Sequence, residues 1–383
     1  MDKPILSIII PTKNRYRYLK KLIELISSFS STQLELIIQD NSTNNEEIKS
    51  FLTNYTSDKR IVYDYTPNPI DIISNCDLAV KNSKGEFVIM IGDDDGVTRH
   101  IVDCANWMKR NDIDSLSLNY VSYKWMGFQS KLNNGGGIMS YTKSKNRILK
   151  RDPMLELRNL LSIGASDMSK TPRLYYGIIK RKVLNDVYNA TGSFFPGSSP
   201  DMANSVALCF YVKSFYFIDL PVVIDGASNE STAGAGARHQ HVGEISEIAH
   251  LPKNTDENWD VSIPKFWSGP TIWAESAIKA LQRTNNASYI NIFNLNYLYA
   301  KLLVFNPQFI KRTYKYVNNW VMVIFYVLKL VGNRGVIYIK NRTFLGKIDK
   351  KVVHTNVEDI IDCVKILDIE IETFNFKDIE KMF

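Results

Sequence analysis

Residues 86–96 read Glu-Phe-Val-Ile-Met-Ile-Gly-Asp-Asp-Asp-Gly, an apolar run that leads directly into three adjacent carboxylates. A run without polar alternation is typical of a strand in a parallel sheet that is covered on both faces. Three carboxylates at the end of such a strand repel one another unless a cation neutralises them. Hard divalent ions such as Mn²⁺ and Mg²⁺ prefer carboxylate oxygens, so the stretch predicts a metal site.

The directions of the three carboxylates decide which of them could hold the ion. If the extended geometry of the strand continues, Asp93 and Asp95 share one face and Asp94 points elsewhere. The alternative is a solvated acidic turn, because Asp and Gly are also common turn residues. The position directly after a buried strand favours the metal site.

Three more apolar runs precede this strand, and helical patterns of 10–13 residues separate them, as the printed sequence shows at residues 6–10, 34–39 and 61–65. This alternation predicts an α/β fold with a mostly parallel sheet and helices on both faces. Polar clusters follow the strands at residues 11–14, 40–42 and 93–95. Because ligands bind beyond the carboxyl ends of parallel strands, these clusters should converge at one site.

The remainder of the chain divides by composition. Helical patterns cover residues 154–163 and 201–213, and an apolar run at 216–224 predicts a further strand. We therefore expect a catalytic domain at residues 1–226, a mobile Gly/Ala-rich loop at 227–253 and a helical, basic C-terminal region at 254–383.

Composition narrows the class of protein. The 383 residues are 45% hydrophobic and 23% charged, which is typical of a folded globular protein. The four cysteines are scattered without a CxxC pair, so we expect neither a zinc site nor a disulfide framework. We see no secretory signal and no apolar run long enough to cross a bilayer, which predicts a cytoplasmic protein.

The net charge of +7 is concentrated near the C-terminus. Residues 300–355 contain eleven Lys or Arg and one acid, Asp349. A basic segment with interleaved aromatic residues could face anionic lipid headgroups at the inner face of the plasma membrane, or it could be an ordinary solvated helical face. It could equally be a nucleic-acid patch, although we do not expect a nucleic-acid partner.

Residues 7–15, 38–43 and 84–95 together resemble, in order and spacing, the motifs of glycosyltransferase family 2. Members of this family are inverting nucleotide-sugar transferases of the GT-A fold, and the resemblance covers roughly residues 4–125. It implies a nucleotide-diphosphate sugar as donor, typically of UDP, and a divalent metal, Mn²⁺ or Mg²⁺, as cofactor.

The resemblance also implies roles for residues that bind the nucleotide. Pro11 and Thr12, followed by Asn14, match the turn that lies against the nucleotide. Asp40 matches the acid that accepts a hydrogen bond from the base, typically from N3–H of uracil. Many relatives have Arg-Asn where this chain has Ser74 and Asn75. Asn75 then keeps the nucleotide contact, and Lys13 or Arg15 would replace the missing arginine.

Within the acidic run, the resemblance divides the three carboxylates. Asp93 matches the first acid of the DxD motif, which usually contacts the ribose. Asp95 matches the last acid, which usually binds the metal that bridges the diphosphate. Asp94 occupies the variable middle position and is retained as a nucleotide contact.

Inversion at the anomeric carbon needs a carboxylate that takes the proton from the acceptor hydroxyl. The family places this base at the start of a helix downstream of the DxD motif. Ser199, Pro200 and Asp201 fit an N-cap, a first helical position and the base. Asp167 is the competing candidate, and an Asp that merely favours the helix dipole is the structural alternative.

Arg238, His239 and His241 end the Gly/Ala-rich segment. A mobile loop that closes over the donor could bring these side chains to the diphosphate, with His239 as an additional metal ligand. The alternative is a set of solvent-exposed loop residues.

The leading hypothesis is therefore an inverting glycosyltransferase that builds a bacterial surface glycan, such as a capsule or O-antigen, on a polymeric or lipid-linked acceptor. A sugar nucleotidyltransferase is the nearest alternative, but residues 8–20 lack the glycine that its activating loop needs. A non-catalytic, glycan-binding GT-A scaffold is the third hypothesis, and it predicts that the metal and base acids are dispensable.

Overall fold

A computed structural model describes residues 3–130, 135–145, 147–231, 234, 242–342 and 351–371, with the side chains of residues 336–342 left out. Its strands are β1 (Leu6–Thr12), β2 (Leu34–Asp40), β3 (Ile61–Tyr65), β4 (Phe87–Met90), β5 (Gly96–Val97), β6 (Ser115–Lys124), β7 (Ile138–Tyr141), β8 (Ile148–Arg151), β9 (Gly177–Lys180), β10 (Phe215–Ala227) and β11 (Val352–Thr355). Its helices are α1 (Tyr16–Ser27), α2 (Glu46–Leu52), α3 (Ile72–Asn82), α4 (Ile101–Arg110), α5 (Pro153–Ser162), α6 (Arg181–Thr191), α7 (Pro200–Leu208), α8 (Gly269–Arg283), α9 (Leu295–Phe305), α10 (Ile310–Tyr314), α11 (Trp320–Arg342) and α12 (Ile360–Ile371).

The sheet is mixed: its first four strands are parallel, as predicted, whereas most of the later pairings are antiparallel. β3, β2, β1 and β4 lie side by side in that order and run in the same direction. β9 follows β4 in the opposite direction and pairs on its other side with β6. β6 pairs in parallel with β10 along its length, which completes a GT-A-like α/β architecture.

The register of the strands brings the predicted polar clusters together. Thr12 at the end of β1 pairs with Asp40 at the end of β2, and Ile9 pairs with Met90 at the end of β4. β1 and β2 therefore end level, whereas β4 ends three residues earlier and residues 91–93 continue to the same edge, where the Thr12 hydroxyl donates to Asp93. The order of the strands reverses between β1 and β4, and such a switch point is where α/β sheets bind ligands.

Alternating side chains of the strands divide the core into two layers. Ile8 and Ile10 pack with α1, α4 and α12 on one face of the sheet. Ile9 and Ile37 pack with α3, α6 and α7 on the other face. Both faces of β1 are therefore buried, which explains the uninterrupted apolar run in its sequence.

The C-terminal residues do not form one helical region, which corrects the predicted boundary at residue 254. Helices α8, α9 and α11 share a separate apolar core with α5 and α7. In contrast, β11 pairs with β7, and α12 packs on the first core through Ile360, Cys363 and Leu367. Their spacing forms an apolar stripe on α12 that needs a partner, and α1 and β10 supply it.

The structure bears on two further predictions, which concern the cysteines and the membrane-spanning helices. All four cysteines are buried and unpaired, which confirms that they do not form a disulfide framework. Among the helices of the described residues, none is long and apolar enough to cross a lipid bilayer.

Candidate active site

A cavity of about 830 Å³ opens at the carboxyl ends of β1 and β4. The segment that leads into β9 and the first residues of α7 and α8 form its other walls. Seven of the predicted residues line it: Pro11, Lys13, Arg15, Asp93, Asp94, Asp167 and Asp201. The other predicted residues that the structure describes do not line it; these are Thr12, Asn14, Asp40, Asn75 and Asp95. Arg238, His239 and His241 lie outside the described residues.

Arg15 binds two of the three acidic residues. Its guanidinium donates to Oδ1 of Asp93 and, at 2.5 Å, to Oδ1 of Asp94. The Thr12 hydroxyl donates to Oδ2 of Asp93 at 2.6 Å. The Ser228 hydroxyl donates to Oδ2 of Asp94 at 2.6 Å. Burial raises the pKa of Asp93, and the nearby Arg15 charge limits that rise. This arrangement holds two carboxylates at the wall of the cavity.

Asp95 points into the protein, because residues 93 and 94 form a turn and the extended geometry stops at the strand. Its Oδ2 accepts hydrogen bonds from the Gly92 amide at 2.6 Å and the Tyr175 hydroxyl at 3.0 Å. Its Oδ1 accepts from the Tyr176 hydroxyl at 2.7 Å and the Gly226 amide at 2.8 Å. With two donors on each oxygen and no exposed surface, Asp95 is closed to an ion in the cavity. The prediction that Asp95 holds the metal does not fit this geometry.

The Tyr176 hydroxyl also links Asp95 to Asp225, a cavity residue on β10, at 3.0 Å. The Tyr176 hydroxyl has one proton and can donate it to only one of the two carboxylates. Its contact with the other carboxylate is a hydrogen bond only if that carboxyl group is itself protonated. Burial, with the nearby Asp94 and Asp225 charges, raises the pKa of Asp95 well above its usual range. Burial likewise raises the pKa of Asp225.

The carboxylates that line the cavity could supply part of a divalent-cation site. Within the described residues, no group of three or more His, Cys, Asp or Glu side chains forms a complete metal site. Asp94 and Asp225 nevertheless line the cavity, and the charge of Asp94 contributes to the raised pKa of Asp225. The Ser228 amide and hydroxyl both donate to Oδ2 of Asp94, so Oδ1, which accepts only from Arg15 among the described residues, is the oxygen that an ion could bind. Oxygen ligands of this kind fit Mg²⁺ or Mn²⁺ when substrate phosphate supplies the other ligands.

Asp40 is held by protein groups at the end of β2. Its Oδ2 accepts from the hydroxyls of Tyr16 at 2.6 Å and Tyr63 at 2.8 Å, and its Oδ1 accepts from the Ser42 amide at 2.8 Å. The residue has no exposed surface. Burial and the hydrogen bond to Asp40 raise the pKa of both tyrosines. In this arrangement Asp40 fixes the β2 turn, and its contact with the nucleotide base stays a prediction.

Thr12, Asn14 and Asn75 support the wall of the cavity from behind. Asn14 has a φ of 58°, which asparagine tolerates better than most residues. Its backbone N–H donates to the Ser42 hydroxyl at 2.7 Å. Its side chain accepts from the Thr43 amide at 2.9 Å. The buried Asn75 amide donates to the Thr12 carbonyl at 3.5 Å. These contacts tie β1, β2 and α3 together.

Asp201 lies in the first turn of α7, where the sequence predicts it. Ser199 occupies the N-cap position and Pro200 follows it, although the Ser199 side chain makes no capping hydrogen bond. The Ser199 amide instead donates to the Ser276 hydroxyl of α8 at 2.7 Å, which fixes this turn. Within the described part of the chain, no donor binds the Asp201 carboxylate. Burial raises its pKa to about 6, and the charge of Arg173 opposes that rise.

The cavity contains functional candidates that the sequence analysis missed. Arg173, Tyr176, Asp225 and His250 all line it. Arg173 and Tyr176 lie in the segment that leads into β9. Because β9 is antiparallel to β4 and β6, its amino end lies beside the carboxyl ends of those strands. The direction of β9 depends on tertiary pairing, which no local pattern shows. Burial and the charge of Lys13 lower the pKa of His250.

Comparison with known proteins gives the family context. Residues 7–175 match the family model described as "Glycosyl transferase family 2". An "Uncharacterized glycosyltransferase" of Haemophilus influenzae is 25% identical over 133 residues, 34% of this chain and 53% of that protein. The chain therefore spans about half the length of this curated relative.

Two solved structures have limited similarity to this chain. S. aureus TarS 1-349 in complex with UDP-GlcNAc has a TM-score of 0.45 and 16% identity, with 61% of each chain covered. The mannosyltransferase PcManGT from Pyrobaculum calidifontis, in complex with GDP-Man and Mn²⁺, has a TM-score of 0.41 and 13% identity, with 97% of this chain and 88% of that chain covered.

Proposed function

Because residues 7–175 match the model of glycosyltransferase family 2, we propose that this chain transfers a sugar from a nucleotide-diphosphate donor to an acceptor hydroxyl, with inversion at the anomeric carbon. The single observation that supports this most strongly is the carboxylate of Asp201. It shares one cavity with the acidic pair Asp93 and Asp94, yet it has no hydrogen-bond partner among the described residues. A carboxylate in this state is available to accept a proton.

Asp201 acts as the general base in this proposal. It takes the proton of the acceptor hydroxyl while the oxygen of that hydroxyl forms a bond to the anomeric carbon. The bond between this carbon and the diphosphate oxygen breaks on the opposite face, and the nucleoside diphosphate leaves with the electron pair. A pKa of about 6 suits this role, because the base is ionised at neutral pH and still has a useful proton affinity.

The donor diphosphate lies, in this proposal, at the wall that carries Asp94 and the basic side chains of Lys13, Arg15 and Arg173. These cations compensate the charge that develops on the leaving diphosphate. Asp94 and Asp225 are the residues that would hold a divalent metal, in place of Asp95. When bound, the ion supplies Lewis-acid stabilisation of the leaving group. We retain Arg238, His239 and His241 as candidate diphosphate contacts.

We propose UDP as the nucleotide, following the habit of the family, and a hexosyl or N-acetylhexosaminyl group as the transferred sugar. The acceptor is a polysaccharide or lipid-linked glycan of a bacterial surface. Aromatic side chains support a carbohydrate ligand, since Tyr120 is 43% exposed and lines the cavity with Trp267 and Trp273. Aromatic rings supply an apolar surface with polar groups at its edge, which suits a sugar.

The pH profile tests the assignment of the base. We expect kcat/KM to rise about tenfold per pH unit below pH 6 and to level off above it, because only ionised Asp201 accepts the proton. Arg173→Gln should move this limb to higher pH, since the Arg173 charge favours the ionised form.

The same variant separates Asp201 from Asp93. Burial also raises the pKa of Asp93, but the cation that opposes this rise is Arg15. A limb that stays in place in Arg173→Gln would assign the profile to another group and contradict the role of Asp201.

A further inference from the structure

Helix α11 is apolar on two opposite faces. Val323 is fully buried in the second core, and Tyr326, Val327 and Leu330 pack against that core. The opposite side chains face outward; we define them as the outer face of α11, and their exposed fractions are Val321 79%, Ile324 53%, Phe325 55%, Leu328 68% and Val331 53%. A surface helix of a globular protein normally places polar residues there.

The outer face is a continuous stripe, and further apolar side chains are exposed on the neighbouring helices. Each of its residues has another member three or four positions away, so they form a continuous stripe along the helix. Tyr314 of α10 is 62% exposed, Ile310 is 49% exposed and Phe305 of α9 is 40% exposed. Single exposed apolar residues are ordinary, but a contiguous group of this size indicates an interaction surface.

The charged residues of the same segment are all basic. Residues 300–342 contain eight Lys or Arg and no Asp or Glu. Lys301 is turned inward to the Ser166 carbonyl, and Arg312 pairs with Glu244. Lys311, Lys315, Lys329 and Arg334 are exposed, and none of them has an ion pair in the part of the chain that the structure describes. Arg334 instead lies over the Phe305 ring at 4.3 Å.

We propose that the outer face of α11, with its flanking basic residues, lies on a lipid surface that carries anionic headgroups. The apolar stripe enters the boundary between headgroups and acyl chains, and the exposed lysines and Arg334 contact the headgroups. A second copy of the chain fits less well, because a symmetric contact would bring two basic surfaces together. This surface is independent of the proposed sugar transfer, and its test requires no activity.

The test uses the full chain and vesicles of phosphatidylcholine, with or without phosphatidylglycerol, in a sedimentation assay. We expect at least about tenfold stronger partition onto the anionic vesicles, and loss of this preference at about 1 M salt, where charges are screened over about 3 Å. The double substitution Lys315→Gln and Lys329→Gln should weaken binding by about fivefold per charge.

A matched pair of variants separates the outer face from general surface apolarity. Phe325→Ser with Leu328→Ser removes two residues of the outer face, and we expect it to abolish binding to either vesicle. Leu155→Ser with Val261→Ser removes two residues that are 53% and 92% exposed elsewhere, and binding should be retained. An unchanged circular dichroism spectrum and thermal unfolding midpoint show that each variant is folded.

Three results would overturn the proposal. The first is no partition of the wild type onto anionic vesicles. The second is equal partition of the wild type and the Phe325/Leu328 variant. The third is a concentration-dependent dimer, seen by light scattering, that this variant abolishes, because the outer face would then bind a second copy of the chain.

Discussion

Replacing Asp201 with asparagine is expected to lower kcat for sugar transfer by about 10²–10⁴-fold, the usual contribution of a general base. The amide has nearly the same shape but does not accept the proton. The Asp201 carboxylate makes no hydrogen bond to the described residues, so the substitution breaks no such contact there. Its effect on stability is limited to the helix dipole of α7, about 0.3–1 kcal/mol. Donor affinity should remain, because the donor contacts lie at β1 and β4.

Asp167→Asn is the matched control for this prediction. Asp167 lines the same cavity, but its carboxylate already accepts a hydrogen bond from the Ser169 amide at 3.1 Å. An asparagine can keep that turn, so we expect kcat to change little. Rates are measured as nucleoside diphosphate release, and donor affinity by titration calorimetry. A fully active Asp201→Asn protein, or an equal loss in Asp167→Asn, would remove Asp201 from the role of base.

The neighbouring carboxylates Asp94 and Asp95 should respond to the same substitution in different ways. Asp94→Asn should lower kcat by at least about 10²-fold, because it removes a ligand of the metal that stabilises the leaving diphosphate. The free energy of unfolding should fall less than for Asp95→Asn: the Ser228 hydroxyl can reverse and accept from the new amide, while the ion pair with Arg15 and the 3.2 Å contact with the Ser228 backbone N–H are weakened.

Asp95→Asn should instead destabilise the fold. The backbone N–H groups of Gly92 and Gly226 donate to different oxygens of Asp95, and neither can reverse. One of them must then face the new NH₂ group, so we expect the free energy of unfolding to fall by about 3 kcal/mol.

Calorimetry and urea denaturation distinguish the two residues. Titration of UDP with and without Mn²⁺ should show a metal-dependent gain in affinity for wild type and Asp95→Asn, and none for Asp94→Asn. The urea midpoint should fall further for Asp95→Asn than for Asp94→Asn. A metal-dependent gain that survives in Asp94→Asn and disappears in a stable Asp95→Asn protein would return the metal to Asp95.

The strands of the first half were predictable because local patterns determine them. β1, β2 and β4 are buried on both faces, so their sequences are continuous apolar runs followed by polar turns. The rule that parallel strands end at one edge then brought Thr12, Asp40 and the acidic run together without further information. Asp201 was predictable for a similar reason, since Ser199 and Pro200 mark the start of α7.

The directions of the side chains were not predictable, because they depend on partners far apart in the sequence. Asp95 is turned inward by donors from Tyr175, Tyr176 and Gly226, which follow it by 80 or more residues. Asp40 is enclosed by Tyr16 and Tyr63, and neither tyrosine belongs to a recognisable motif. The return of α12 to the first core likewise requires knowledge of the surface that α1 and β10 leave uncovered.

The measurement that tests the central claim most directly is the turnover of nucleotide sugars by the purified chain. A panel of UDP- and GDP-sugars is incubated with wild type, Asp201→Asn and Asp167→Asn in the presence of Mn²⁺ or Mg²⁺, and release of the nucleoside diphosphate is followed. We predict that the wild type and Asp167→Asn hydrolyse at least one donor and that Asp201→Asn hydrolyses it at least about 10²-fold more slowly. Equal turnover by all three proteins, or no turnover of any donor by the wild type, would contradict the assignment of this cavity as the active site of a glycosyltransferase with Asp201 as its base.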